Sequence, residues 1–182
     1  MPQLLDITKK MRWLGIVGLF SMIASQPDIL GLVPAFVASL ISVIATYWAL
    51  YLLDKRYGGL NLFKISVYQL LIYVPLMFVV LLVPSDSQSL SSSTSLMYEL
   101  LGLMILLLCI VSYTNYKMSK KLTEIAELSG NNFFRYSAIL LLISAYTMPI
   151  IIGLVIFAVA IVLFLVGCML YKENNPTSQP VV

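Results

Sequence analysis

Long uncharged apolar stretches alternate with short polar or charged breaks along the whole chain. The longest runs from Tyr136 to Tyr171, bounded by Arg135 and Lys172, without one charged side chain. As a straight helix it would be about 54 Å long, against a bilayer core of about 30 Å. That is too long for one crossing and slightly short for two. Tyr146-Thr147-Met148-Pro149 interrupts it near the middle, where proline removes a helical hydrogen bond and clashes with the preceding turn. The pattern predicts a tight helical hairpin.

The rest of the chain repeats the device. A short apolar leg, Trp13 to Ser25, is followed by a turn at Gln26-Pro27-Asp28 and a full span from Ile29 to Leu53, with Pro34 near its start. Ile65 to Val83 reads as a third span with Pro75 as a kink, and Met97 to Tyr116 as a fourth. Between them lies PSDSQSLSSSTS, a flexible serine-rich loop. Lys117 to Arg135 extends the fourth helix beyond the membrane, because Leu122, Ile125 and Ala126 recur at helical spacing before a C-cap at Gly130. The expected fold is therefore an all-α membrane protein with six transmembrane helices. They form three hairpins, 12–53, 64–116 and 135–171, in one domain over 1–172, with a disordered polar tail at 173–182.

Composition agrees. Sixty per cent hydrophobic and 10% charged residues lie far from the soluble norm of roughly 25% charged, and they leave little chain for a soluble domain. The basic start before Trp13 resembles a signal peptide, but Met22 and Ile23 stand where small residues are wanted for cleavage, so a retained first helix is expected.

Charge placement sets the topology. The eleven Lys and Arg residues fall at 9–12, 55–64, 117–135 and 172, and none lies in the turns at 26–28, 84–96 or 146–149. If basic segments stay cytoplasmic, successive ones are separated by an even number of crossings. Three hairpins follow, in the cell membrane, with both termini cytoplasmic.

Each returning leg opens alike: ILGLV at 29–33, LLGLM at 100–104 and IIGLV at 151–155. Small residues recur at sevens from each glycine, so that Gly31, Gly102, Gly153, Ala160 and Gly167 are candidate helix-packing positions. Gly31, Ala35, Ser39 and Ser42 open a small-residue face on the second span that suits packing against another helix. An internal hairpin repeat would account for these matches, as would chance among Leu, Ile, Val and Gly. Two connectors also align, GGLNLFK at 58–64 and SGNNFFR at 129–135. In that alignment Gly130 ends one helix, Asn132 caps the next, Phe134 dips into the interface and Arg135 snorkels. Lys64 and Arg135 are candidate anionic-lipid contacts.

The short first leg, YLLDKRYGGLNLFK, and LTEIAELSGNNFFR before a closing hairpin resemble an uncharacterised archaeal and bacterial integral-membrane family classed as a domain of unknown function. The resemblance covers most of the chain apart from the serine-rich loop. It implies the architecture and carries no activity or site residues.

Few residues suggest chemistry. The chain has no histidine, and Cys109 and Cys168 lie in apolar segments without metal-ligand spacing, so no metal, cofactor or catalytic group is expected. Glu99, about one turn into the fourth span, is the one ionisable candidate inside a span and is expected at the interface. Gln69 and Tyr73, near Pro75, could line a small polar cavity with it. Sparse basic residues against lipid headgroups give nucleic-acid binding no support. The expected role is non-catalytic: an accessory, assembly or regulatory subunit packing on another membrane protein or on its own copies. The alternative is a small-solute transporter or channel. A cavity lined by Gln69, Tyr73 or Glu99 would favour transport, and a filled groove along Gly31 to Ala49 would favour the subunit.

Overall fold

A computed structural model of the protein describes residues 2–26, 31–58, 60–82, 94–148 and 152–172. They form helices and no strands: α1 Pro2–Ala24, α2 Leu32–Tyr57, α3 Leu62–Leu82, α4 Thr94–Ser129, α5 Asn132–Thr147 and α6 Ile152–Met169. Three of these six contain stretches long and apolar enough to cross a membrane, Val33–Tyr57, Tyr98–Ser129 and Ile152–Met169. The 16 residues of α5 reach only about 24 Å, short of a bilayer core of about 30 Å. The turn at Pro27-Asp28, most of the serine-rich loop with Asp86, Pro149 and the tail at 173–182 lie outside the described residues.

Contacts between helices fix an up-and-down register. Ser42 Oγ of α2 donates to Gly18 O of α1, Tyr47 OH of α2 to Ser66 O of α3, and Gln69 Nε2 of α3 to Asn115 Oδ1 of α4. Ser119 Oγ of α4 donates to Ala138 O of α5, and Ser137 Oγ of α5 to Ala160 O of α6. Each helix packs on its chain neighbours and α1 returns to α6, so the six close into a ring. The alternation brings all eleven Lys and Arg residues to the same half of the bundle, while Glu99 sits toward the other end.

The ring closes on glycine. A Cβ on Gly15 would stand 2.4 Å from Met169 N and 2.7 Å from Leu165 O, so α1 and α6 approach backbone to backbone. Arg12 Nε then donates to Tyr171 O at 2.9 Å, and Tyr57 and Tyr171 share a hydroxyl hydrogen bond of 2.8 Å. The main core fills this basic half, with Met11, Leu53, Leu122, Ile125, Phe134 and Leu165 fully buried. The outer surface is apolar on every helix, including Phe20, Phe36, Trp48, Leu71, Ile105 and Val155. Soluble bundles keep such residues inside.

Several expectations shift. The helix from Lys117 to Ser129 does continue and ends at Gly130 (φ +65°), but Leu122, Ile125 and Ala126 are buried core, so it is part of the bundle. The α5 cap is Asn131 and not Asn132: Asn131 Oδ1 accepts from Phe133 N at 3.0 Å, and its Nδ2 donates to Gly167 O at 2.9 Å. Its partner in the other connector is Asn61, whose carbonyl accepts from Ile65 N as Asn131 O accepts from Arg135 N. The two turns are thus offset by one residue from the sequence alignment. Phe134 does not dip into the interface; it is fully buried against Phe164 and Tyr171.

Candidate functional site

Between the end of α1 and the middle of α2, α3 and α6, the ring does not fill. Met22 and Ser25 of α1, Ser39, Ser42 and Thr46 of α2, Gln69 and Tyr73 of α3, Met118 of α4 and Phe157 of α6 help to line a cavity of about 360 Å³. That volume falls within the range of small-molecule sites, about 300–1,000 Å³. The wall is mostly apolar, and among the described residues no Asp, Glu, Lys, Arg or Cys contributes to it.

Behind it runs a buried polar relay. Gln69 Nε2 donates to Asn115 Oδ1 at 2.6 Å, Asn115 Nδ2 to Ser144 Oγ at 3.4 Å, and Ser144 Oγ to Gly153 O at 2.9 Å. Four helices are tied by side chains with almost no exposed surface. An unpaired amide would be costly in such a place, so the chain of partners holds Gln69 in one position at the cavity wall. One turn along α3, the Tyr73 hydroxyl is buried beside the Gln69 amide, close enough to feel its dipole, but no group among the described residues meets it at hydrogen-bond geometry. Its ring packs on Phe157, 6.0 Å between centroids.

The hydroxyls of α2 are already engaged as donors. Ser39 bonds Phe36 O, Ser42 bonds Gly18 O, and Thr46 bonds Ser42 O. Their oxygens keep lone pairs free to accept from a guest. Such a cavity offers acceptors, two phenols and an amide in an apolar wall, and among the described residues no carboxylate or imidazole that could act as general acid or base.

Of the residues singled out from sequence, Gln69 and Tyr73 meet at this cavity, and so do Ser39 and Ser42. Glu99 does not: it is exposed on α4, about 24 Å along the helix from Asn115. Ala35 and Ala160 are buried in the bundle, and Gly167 lies against the Phe134 ring, where a Cβ would meet it at 2.7 Å. A Cβ on Gly153 would stand 2.5 Å from the Met148 backbone at the end of α5. Gly31 and Gly102 differ, since a Cβ on either meets no described atom within 4 Å. Gly31 starts α2 with φ +82°, so the reason for glycine there is backbone conformation. Lys64 and Arg135 are both exposed, near the starts of α3 and α5.

Asn115 and Ser144 escaped the sequence reading. Asn115 stands beside Tyr116 and Lys117, a string that reads as a membrane edge, and Ser144 is one serine in an apolar run. Helical spacing of Asn115 with Thr114, Met118 and Ser119, all buried, was the one available signal.

Neither a family model, nor a curated protein, nor a solved structure matches the chain.

Proposed function

We propose that the chain is a non-catalytic, six-span protein of the cell membrane that binds a small uncharged molecule in its central cavity, as a carrier of that molecule. The observation that carries this reading is the cavity itself, with Gln69 held by Asn115 and the Tyr73 hydroxyl unsatisfied beside it. The space between the helices of a bundle is a recurrent place for small-molecule sites. Among the described residues none that lines the cavity is charged, which favours a neutral ligand.

The basic half of the ring supports placing both termini in the cytoplasm. Lys9, Lys55, Lys64, Lys121, Arg135 and Lys172 come from both ends of the chain and both connectors, and the positive-inside bias assigns them to one side. Six spans are compatible with α5 being short if it shares the crossing with longer neighbours and the membrane thins locally, while the 23 residues of α1 reach about 34 Å. The family resemblance rests on the connector and hairpin residues alone.

The subunit reading keeps one observation. Gly102 and Cys109, seven residues apart, both face out of the bundle on α4, a spacing that admits a close partner helix. By contrast, Ala35, Ala38, Ala45 and Ala49 are buried within the chain, and Ser39 and Ser42 face the cavity, so that face of α2 no longer calls for a partner.

Gentle-detergent purification from native membranes, with mass spectrometry of whatever small molecule and protein come along, separates the two. A neutral compound near one-to-one, lost in Gln69→Leu, is the expected result. An empty cavity with a stoichiometric second protein, released by Gly102→Leu, would replace the carrier reading with the subunit.

A further inference from the structure

On the outside of the α2–α3 seam lies a second hollow, a groove of about 660 Å³ lined by Ile44, Trp48, Tyr51 and Phe63. Val43, Tyr47 and Leu70 line this groove and also the central cavity. These three side chains are therefore the partition between them. Tyr47 is pinned, its hydroxyl donating to Ser66 O at 3.0 Å. Val43 and Leu70 make no such bond, and each is 42% exposed. Among the described residues α2 and α3 also form the loosest seam between neighbours in the ring.

Resting on the carrier reading, we infer that the ligand is a neutral lipid-like amphiphile, with an uncharged hydroxyl or carbonyl head on a hydrocarbon chain. It enters sideways from the bilayer between Val43 and Leu70. The head reaches Gln69 and Tyr73, where a phenol without a partner can donate to a carbonyl or accept from a hydroxyl. The chain lies back through the seam into the aromatic groove, which faces lipid and presents no charge. A carboxylate or phosphate head would arrive in a wall with no cation and would lose its hydration without replacement. The same wall suits a water-soluble polar solute poorly, because its five Ser and Thr hydroxyls and the Tyr47 phenol already donate to backbone carbonyls, and these with one further phenol and one amide cannot replace a full hydration shell. A lateral path also fits the position of the seam, which opens into the apolar outer surface around Trp48.

The test uses the full chain in lipid nanodiscs with two photoreactive probes, a long-chain alcohol and the matching carboxylic acid, each with a diazirine on its chain. Labelled peptides are then mapped. The alcohol should label cavity residues around Tyr73 and Phe157 as well as the groove around Trp48, while the acid labels the groove alone. Val43→Trp, at an exposed position, should cut cavity labelling by the alcohol about tenfold and leave groove labelling in place. Leu70→Trp repeats the block from the other helix should the first variant fold poorly. Cavity labelling that survives both blocks overturns lateral entry and leaves the carrier reading standing. Equal cavity labelling by the acid overturns the neutral head. No cavity labelling in the unsubstituted protein, with the groove labelled, overturns the lipid-like ligand, while the carrier reading falls only if no neutral compound copurifies with the protein.

Discussion

Glycine at position 15 and glycine at position 102 look equivalent in apolar text, yet their surroundings are opposite. A methyl group on Gly15 would enter the backbone of α6 at Leu165 and Met169, which cannot rotate away as a side chain could. Gly15→Ala should therefore push α1 from α6 and cost about 1–3 kcal/mol, the range for overpacking a well-fitted contact. Gly102→Ala meets no described atom and gains helix propensity, so its effect should be small or mildly stabilising. Unfolding in a denaturing detergent titration measures both, and equal losses would contradict the close α1–α6 approach. Residue identity alone could not separate the two glycines, because the difference lies in which helix stands opposite. Asn115 was hidden for a related reason. Its neighbours Tyr116 and Lys117 mark a membrane edge by composition, and only the continuation of α4 through buried Leu122 and Ile125 puts it deep in the bundle.

The elements themselves were largely legible. Uncharged runs, glycine stops and the length of the fourth helix all follow from periodicity and from the absence of breakers, and α4 does run unbroken for 36 residues to Gly130. What periodicity does not settle is a one-residue choice inside a turn. Ser129-Gly130-Asn131-Asn132 offers two candidate caps, and the structure uses Asn131, because Gly130 at φ +65° turns the chain so that the next side chain faces both Phe133 N and Gly167 O. The same residue thus starts α5 and ties down the end of α6. Asn131→Ala should cost about 0.5–2 kcal/mol from the lost cap, before the lost Gly167 bond is counted. Asn132→Ala, exposed and one step along the helix, should be close to neutral. Hydrogen exchange at the start of α5 reads the difference locally, and the reverse ranking would restore the cap to Asn132.

At the scale of the whole molecule, the ring and the charge pattern make one argument. Six helices alternating in direction bring the start of α1, both connectors and the end of α6 to one end of the bundle, and every Lys and Arg lies on that half. The charge pattern was readable in one dimension, whereas the ring was not. Closure depends on Gly15 against Met169 and Arg12 on Tyr171 O, contacts between residues at opposite ends of the chain that no local pattern announces. The cavity is a consequence of the same geometry, since it forms inside the ring between the end of α1, the middle of α2 and α3, Met118 of α4 and the middle of α6. If the ring sits in a bilayer as the basic residues direct, single cysteines at Lys9, Lys55, Lys121 and Lys172 face the same compartment. The background would carry Cys109→Ala and Cys168→Ala, which removes the two native thiols. A membrane-impermeant maleimide should then label all four from the cytoplasmic side of inverted vesicles and none from outside intact cells. Labelling of Lys172→Cys from the side opposite to Lys55→Cys would mean an odd number of crossings between them. The α5–α6 hairpin could not then return to the basic end, and the closed ring would have to be abandoned along with the cavity that it frames.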